Sequence, residues 1–170
     1  MRQRKTLVLV LLLCLSLLCA CGKREEKNGR LQLYFASNSV SGGATLVAEE
    51  STLLPETATV TEVMNALLAG PGGDGLVSLI PSGVEMQSYT RTDEGIVVDF
   101  SEQYGGLSDI DLTLADYSIV LTLCQLPEVD AVAITVDGKP VFEKGERMMR
   151  PEDLLQDGTP QNTPTDSAEE

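Results

Sequence analysis

Apolar residues recur along this chain with changing periods, and each change marks an element. Leu7–Leu18 is an apolar run broken by Ser16. Leu31, Leu33 and Phe35 then alternate with Gln32 and Tyr34, the period of a half-buried strand. Ser37–Gly43 is rich in turn residues, and Ala44–Glu50 is a candidate second strand. Val60, Val63, Met64, Leu67 and Leu68 follow the i, i+3, i+4, i+7, i+8 spacing that lays one stripe along a helix. Thr59 and Glu62 have the spacing of a capping box, Gly70 suits the left-handed residue past the last turn, and Pro71 stops the helix. Val84, Met86 and Ser88 predict one face of a strand, Asp93-Glu94-Gly95 a turn, and Ile96, Val98 and Phe100 the next strand. Residues 109–126 predict a second helix that is apolar nearly all round. Leu114, Tyr117 and Leu121 lie on one side and Leu112, Ile119 and Leu123 on another, so most of its circumference should be buried. Pro127 ends it. Val132, Ile134 and Val136 form a strand, Asp137-Gly138 a hairpin turn, and Val141-Phe142 the return. The economical packing of this order is an α+β fold, with two helices on one face of a mixed, largely antiparallel sheet.

The ends of the chain are different in kind. Arg2, Arg4 and Lys5 precede the first apolar run, which as a helix would be roughly 18 Å long. A hydrocarbon core of about 30 Å is too thick for it, so residues 1–20 read as a secretory signal peptide. Leu18-Cys19-Ala20-Cys21 resembles the lipobox of bacterial lipoproteins. That resemblance implies cleavage before Cys21, a diacylglyceryl thioether on its sulfur and an acylated, palmitate-bearing anchor. Two acyl chains suffice for stable anchoring. Residues 21–29 are a charged tether reaching at most about 28 Å beyond the anchor. Residues 30–150 would form the domain. Residues 151–170 hold six acids and no base and have almost no apolar residues after Leu155, so they read as a disordered acidic tail.

Charge and composition then exclude whole classes of function. The chain carries a net charge of −14, and losing residues 1–20 would remove three bases and no acid. Nucleic acid would repel such a surface. The absence of histidine removes the commonest general base and metal ligand. After cleavage Cys124 would be the sole unacylated cysteine, so stability must come from a packed core.

Four stretches together match a known pattern: Leu67-Leu68-Ala69-Gly70-Pro71, Ile80-Pro81-Ser82-Gly83-Val84, Ile96-Val97-Val98-Asp99-Phe100-Ser101, and Thr122-Leu123-Cys124-Gln125-Leu126-Pro127-Glu128-Val129 leading to Val136-Asp137-Gly138. With this order and spacing, residues 30–142 resemble the GerMN domain of GerM-like sporulation and spore germination lipoproteins. The resemblance implies an α/β domain working in envelope assembly or spore formation, without catalysis or cofactor.

Candidate chemistry is sparse. Gly70–Gly75 is glycine-rich but follows a helix instead of opening one, so it reads as a capping loop and not a phosphate loop. Asp109, Asp111 and Asp116 lack the EF-hand spacing, and the first two suit the cap and dipole of a helix start. Glu85, Asp93, Glu94, Asp99 and Glu102 supply acids without a recognisable opposed pair for glycoside hydrolysis. Asp99 is out of phase with its apolar neighbours and should face solvent or a turn. Cys124 has no histidine to activate it and should be an inert core thiol. No catalytic or metal-binding residue is therefore assigned; Cys21 is the one site residue. The resulting expectation is a lipid-anchored, non-enzymatic interaction domain on the extracytoplasmic face of the cell membrane, whose partner is another envelope or membrane protein. A lipoprotein that recognises a small molecule or cell-wall fragment is the rival reading. Leu31–Ala36 and Lys139–Phe142 are the expected outermost strands, with Pro140 blunting the second.

Overall fold

The computed structural model describes residues 29–37, 45–141 and 147–154. The expected signal peptide (residues 1–20), Cys21, most of the expected tether and of the Ser37–Gly43 loop, Phe142 and residues 155–170 lie outside them.

The fold is α+β, and its strands divide between two sheets. In the first, β1 (Gln32–Ser37) lies between β2 (Leu46–Glu50) and β3 (Leu76–Val77), antiparallel to both. The second has the order β4 (Met86–Arg91), β5 (Ile96–Phe100), β6 (Val132–Val136), β7 (Lys139–Pro140). Its central pair β5–β6 is parallel, and the outer pairs are antiparallel. Helix α1 (Val60–Leu68) precedes β3. Helix α2 (Asp109–Leu123) makes the crossover from β5 to β6, as a parallel pair requires.

The apolar patterns explain the packing. Leu31, just before β1, Leu33 and Phe35 of β1, Val63, Met64 and Leu67 of α1, and Ile96, Val98 and Phe100 of β5 are all buried in one core. Ile119, Val120 and Leu123 of α2 complete it, together with β6, buried along four of its five residues. The capping box forms as spaced: Thr59 Oγ1 accepts from the Glu62 N–H at 3.2 Å, and Glu62 Oε2 accepts from the Thr59 N–H at 2.8 Å. The Thr59 N–H bond, and a 2.8 Å bond that the Thr59 hydroxyl donates to the same Oε2, hold the Glu62 carboxyl below its ordinary pKa. Gly70 takes the left-handed conformation at φ +86°.

The first sheet ends against a helix. Odd-numbered residues of β1 turn their backbone groups toward β2, as the Ser37 N–H bond to the Thr45 carbonyl shows. Even-numbered residues face the other way, and β3 reaches only Ala36 and Ser37. For Gln32 and Tyr34, side chains of α2 and the residues just past it take the place of a strand. Gln125 Oε1 accepts from the Gln32 N–H at 2.9 Å and Gln125 Nε2 donates to the Gln32 carbonyl at 2.7 Å. Thr122 Oγ1 accepts from the Tyr34 N–H at 3.3 Å, and Ser118 Oγ donates to the Tyr34 carbonyl at 2.6 Å. These polar residues recur at helical spacing on a helix whose later turns also bury Ile119, Val120 and Leu123 in the core.

Several details depart from the expected pattern. The strand expected at Leu31–Ala36 is β1, Gln32–Ser37, and it is central and not outer, because β2 takes one side and β3 and α2 the other. The alternation through Val84, Met86 and Ser88 is broken by a bulge between Met86 and Ser88, and β4 is exposed from Gln87 onward. The return after Asp137-Gly138 is Lys139–Pro140; Val141 lies beyond it, packed against the core. Within the expected tail, Pro151–Leu154 form a short helix, α3, with Leu154 against the core. It follows Met149, which pairs with Val132 through two backbone bonds of 2.9 and 3.0 Å.

Candidate functional site

The most perturbed ionisable groups lie under α2. Tyr104, in the turn after β5, stacks on Phe100 with ring centroids 4.9 Å apart, and its hydroxyl donates to Asp116 Oδ1 at 2.6 Å. Burial raises the Asp116 pKa to about 6, against the lowering effects of the Tyr104 hydrogen bond and the Arg147 charge. Burial and the Asp116 charge push the Tyr104 phenol well above its ordinary value. A shifted carboxyl can mark catalysis. Here the two residues are 0% and 1% exposed, so no substrate reaches them. The pair is a satisfied polar link within the core. An isolated aspartate in an apolar helix was the sequence signal for it; its tyrosine partner, in an irregular turn, carried none.

The other acids are dispersed. Asp109 and Asp111 are exposed while Asp116 is buried, so the three do not converge. Neither Asp109 nor Asp111 caps α2: the N-cap is Ser108, without a side-chain cap bond, and Asp109 itself has φ +51°. Both remain in the first turn, where the dipole favours them. Asp99 faces a turn, as its phase implied: Oδ1 accepts from Thr135 Oγ1 at 2.6 Å and from the Gly138 N–H at 2.8 Å. Glu85, Asp93, Glu94 and Glu102 are exposed. In the Gly70–Gly75 loop the Gly72 N–H donates to the Glu49 carboxylate at 3.2 Å, tying the loop to β2. Cys124 is half-buried and not fully buried, beside Arg150 and Glu152 in a depression of about 300 Å³. Among the described residues no three His, Cys, Asp or Glu side chains group as a metal site would require.

Two surface features remain. A cleft of about 380 Å³ lies between the β3–Pro81 segment and the start of α2. Val77, Leu79, Ile80, Leu107 and Leu114 give it apolar walls, and Asp111 is its charged lining residue. Val77 is 42% exposed, and Ile110, in the same helical turn as Asp111, is 72% exposed. The second feature is β4, a six-residue strand on the outside of the second sheet.

A family model described as Germane, sporulation and spore germination, matches residues 32–142, which hold β1 to β7 and both long helices. This chain belongs to the Germane family. The spore germination protein GerM of Bacillus subtilis is 32% identical over 100 residues, covering 54% of this chain and 27% of GerM. The chain therefore spans about a quarter of that curated relative. The solved tandem GerMN domains of the B. subtilis sporulation protein GerM are 25% identical, with a TM-score of 0.51, over 71% of this chain and 43% of that one. The first GerMN domain alone gives a TM-score of 0.52 at 17% identity, over 72% of this chain and 94% of that domain, a likeness of fold. The Germane stretches have structural roles here: Leu67–Pro71 closes α1, Ile80–Val84 turns into β4, and Thr122–Val129 carries two of the side chains that seal β1.

Proposed function

We propose that this Germane domain is lipid-anchored at Cys21 and works in sporulation or germination by binding another envelope protein, not by catalysis. The observation that carries the reading is how the side chains are divided. No buried polar side-chain atom among the described residues lacks a hydrogen-bond partner. The exposed Val77, by contrast, lines an apolar cleft, and the exposed Ile110 is the helical neighbour of Asp111, which also lines it. Exposed apolar side chains beside such a cleft suit a partner surface.

A photoreactive residue at Val77 or Ile110, introduced in sporulating cells, should trap one discrete protein, and Cys21→Ala should weaken trapping by releasing the domain from the membrane. The cleft volume also lies within the range of roughly 300–1,000 Å³ used for small ligands, which supports the rival ligand-binding reading. Saturable binding of muropeptides to the purified protein, with no position-specific crosslink in cells, would replace the first reading with the second.

A further inference from the structure

We propose that the outer edge of β4 is a docking edge for an extended, basic segment of a partner protein, which adds to the second sheet as a further strand. This rests on the protein-binding reading above and names where and what the domain binds.

The backbone supplies the site. In β5, Ile96 donates to Ala131 beside β6, while Ser101 donates to Glu85 on the β4 side. Alternation assigns Val97 and Asp99 to the β4 side as well, and these pair with Thr90 and Ser88. The N–H and C=O groups of Tyr89 and Arg91 consequently point outward, where no described strand pairs with them. An unpaired row of this kind is a template for another strand.

The remaining edges are less open. β3 and β7 have two residues each, and β7 ends in Pro140. β2 carries Glu49 and Glu50, and Glu49 holds the Gly72 loop beside it. β4 has neither proline nor lysine and is exposed on both faces from Gln87 to Arg91. Its start is fixed by the half-buried Met86 and by the 3.0 Å bond from Gln87 Nε2 to Asp137 Oδ1.

The charge around the edge selects the occupant. Glu85 precedes the strand and Asp93 and Glu94 follow it, all exposed. Arg91, the one charged residue of β4, lies 3.8 Å from Glu128, so its charge is offset. A basic segment is attracted to both ends, and an acidic one repelled.

The test uses the full-length protein in detergent micelles, with a short alternating Lys-Val peptide as probe and amide NMR as readout. The peptide should shift the Tyr89 and Arg91 amides and slow their hydrogen exchange, and a Glu-Val peptide should not. N-methylating the inward amides of the Lys-Val peptide should weaken binding by at least about tenfold, since backbone bonds are lost without any change to the protein. Tyr89→Pro, with folding checked by its unchanged core resonances, should do the same. Binding that ignores N-methylation, or shifts confined to other strands, overturns the proposal. Shifts at Tyr89 and Arg91 that grow with protein concentration alone would put a second copy on this edge, and would also overturn it. If the edge fails while crosslinks at Val77 or Ile110 persist, protein binding stands without this surface. If both fail, both readings fall.

Discussion

Asp116 ties the stability of this domain to pH. Unfolded, it titrates near about 3.9; folded, near about 6. The native state holds that proton more tightly, so Asp116 favours folding below about pH 4 and loses the contribution as pH rises through about 6. A shift of this size corresponds to roughly 2–3 kcal/mol. Many other carboxyls titrate at low pH, so the informative quantity is the difference between wild type and Asp116→Asn. The variant should gain on the wild type as pH rises from about 5 to about 7 in urea denaturation, and a constant difference would contradict the assignment. Arg147→Gln should move the window upward, because the Arg147 charge holds the Asp116 pKa down. Gly95 is a second sensitive position. A Cβ there would run into the Ala131 carbonyl, whose oxygen accepts the Ile96 N–H at 3.0 Å. Gly95→Ala should lower stability by about 1–3 kcal/mol by forcing β5 from β6, measurable as a lower denaturation midpoint.

At the scale of elements, α2 is helix and strand substitute together. Gln125→Leu keeps the bulk of the side chain but strands the N–H and C=O of Gln32. The expected loss is about 2–3 kcal/mol, with the Gln32 amide exchanging faster than its neighbours in β1. Thr59→Ala should cost about 1 kcal/mol through loss of the α1 cap. Comparing these two residues shows what was legible in the sequence. The α1 cap is local: Thr59, Glu62, the apolar stripe and Gly70 all lie within twelve residues and specify one helix. The role of Gln125 is not local, because its partner is 93 residues away. Period reveals which face of a strand is buried and says nothing of which neighbour takes its edge. For that reason β1 read as an outer strand although its burial was read correctly. The same limit hid the second sheet and the Tyr104–Asp116 pair. Pro151–Leu154 was obscured by its acidic setting, where Leu154 and the preceding Met149 are the apolar anchors.

At the scale of the whole molecule, anchor and domain make separable predictions. Cys21→Ala should abolish incorporation of labelled fatty acid and leave the unfolding midpoint unchanged, since the proposed anchor residue precedes the described core. Unchanged labelling would remove the lipoprotein assignment. Deleting residues 156–170 should shift the thermal midpoint by no more than a few degrees, whereas Met149→Ala, in the core beside Val132, should cost about 2–5 kcal/mol. The sealing of β1 by α2 also fixes an order of events in time. A chain made from its amino end presents Leu31, Leu33 and Phe35 early, while Thr122 and Gln125 emerge some ninety residues later. Throughout that interval the Gln32–Tyr34 part of that flank lacks its native partners and is open to water or another chain. The domain is therefore most prone to aggregate during synthesis, and anything that holds the early segment apart until α2 arrives would raise the yield. In pulse-labelled refolding, the amides of Gln32 and Tyr34 should become protected together with α2, later than that of Leu33, which β2 can shield alone.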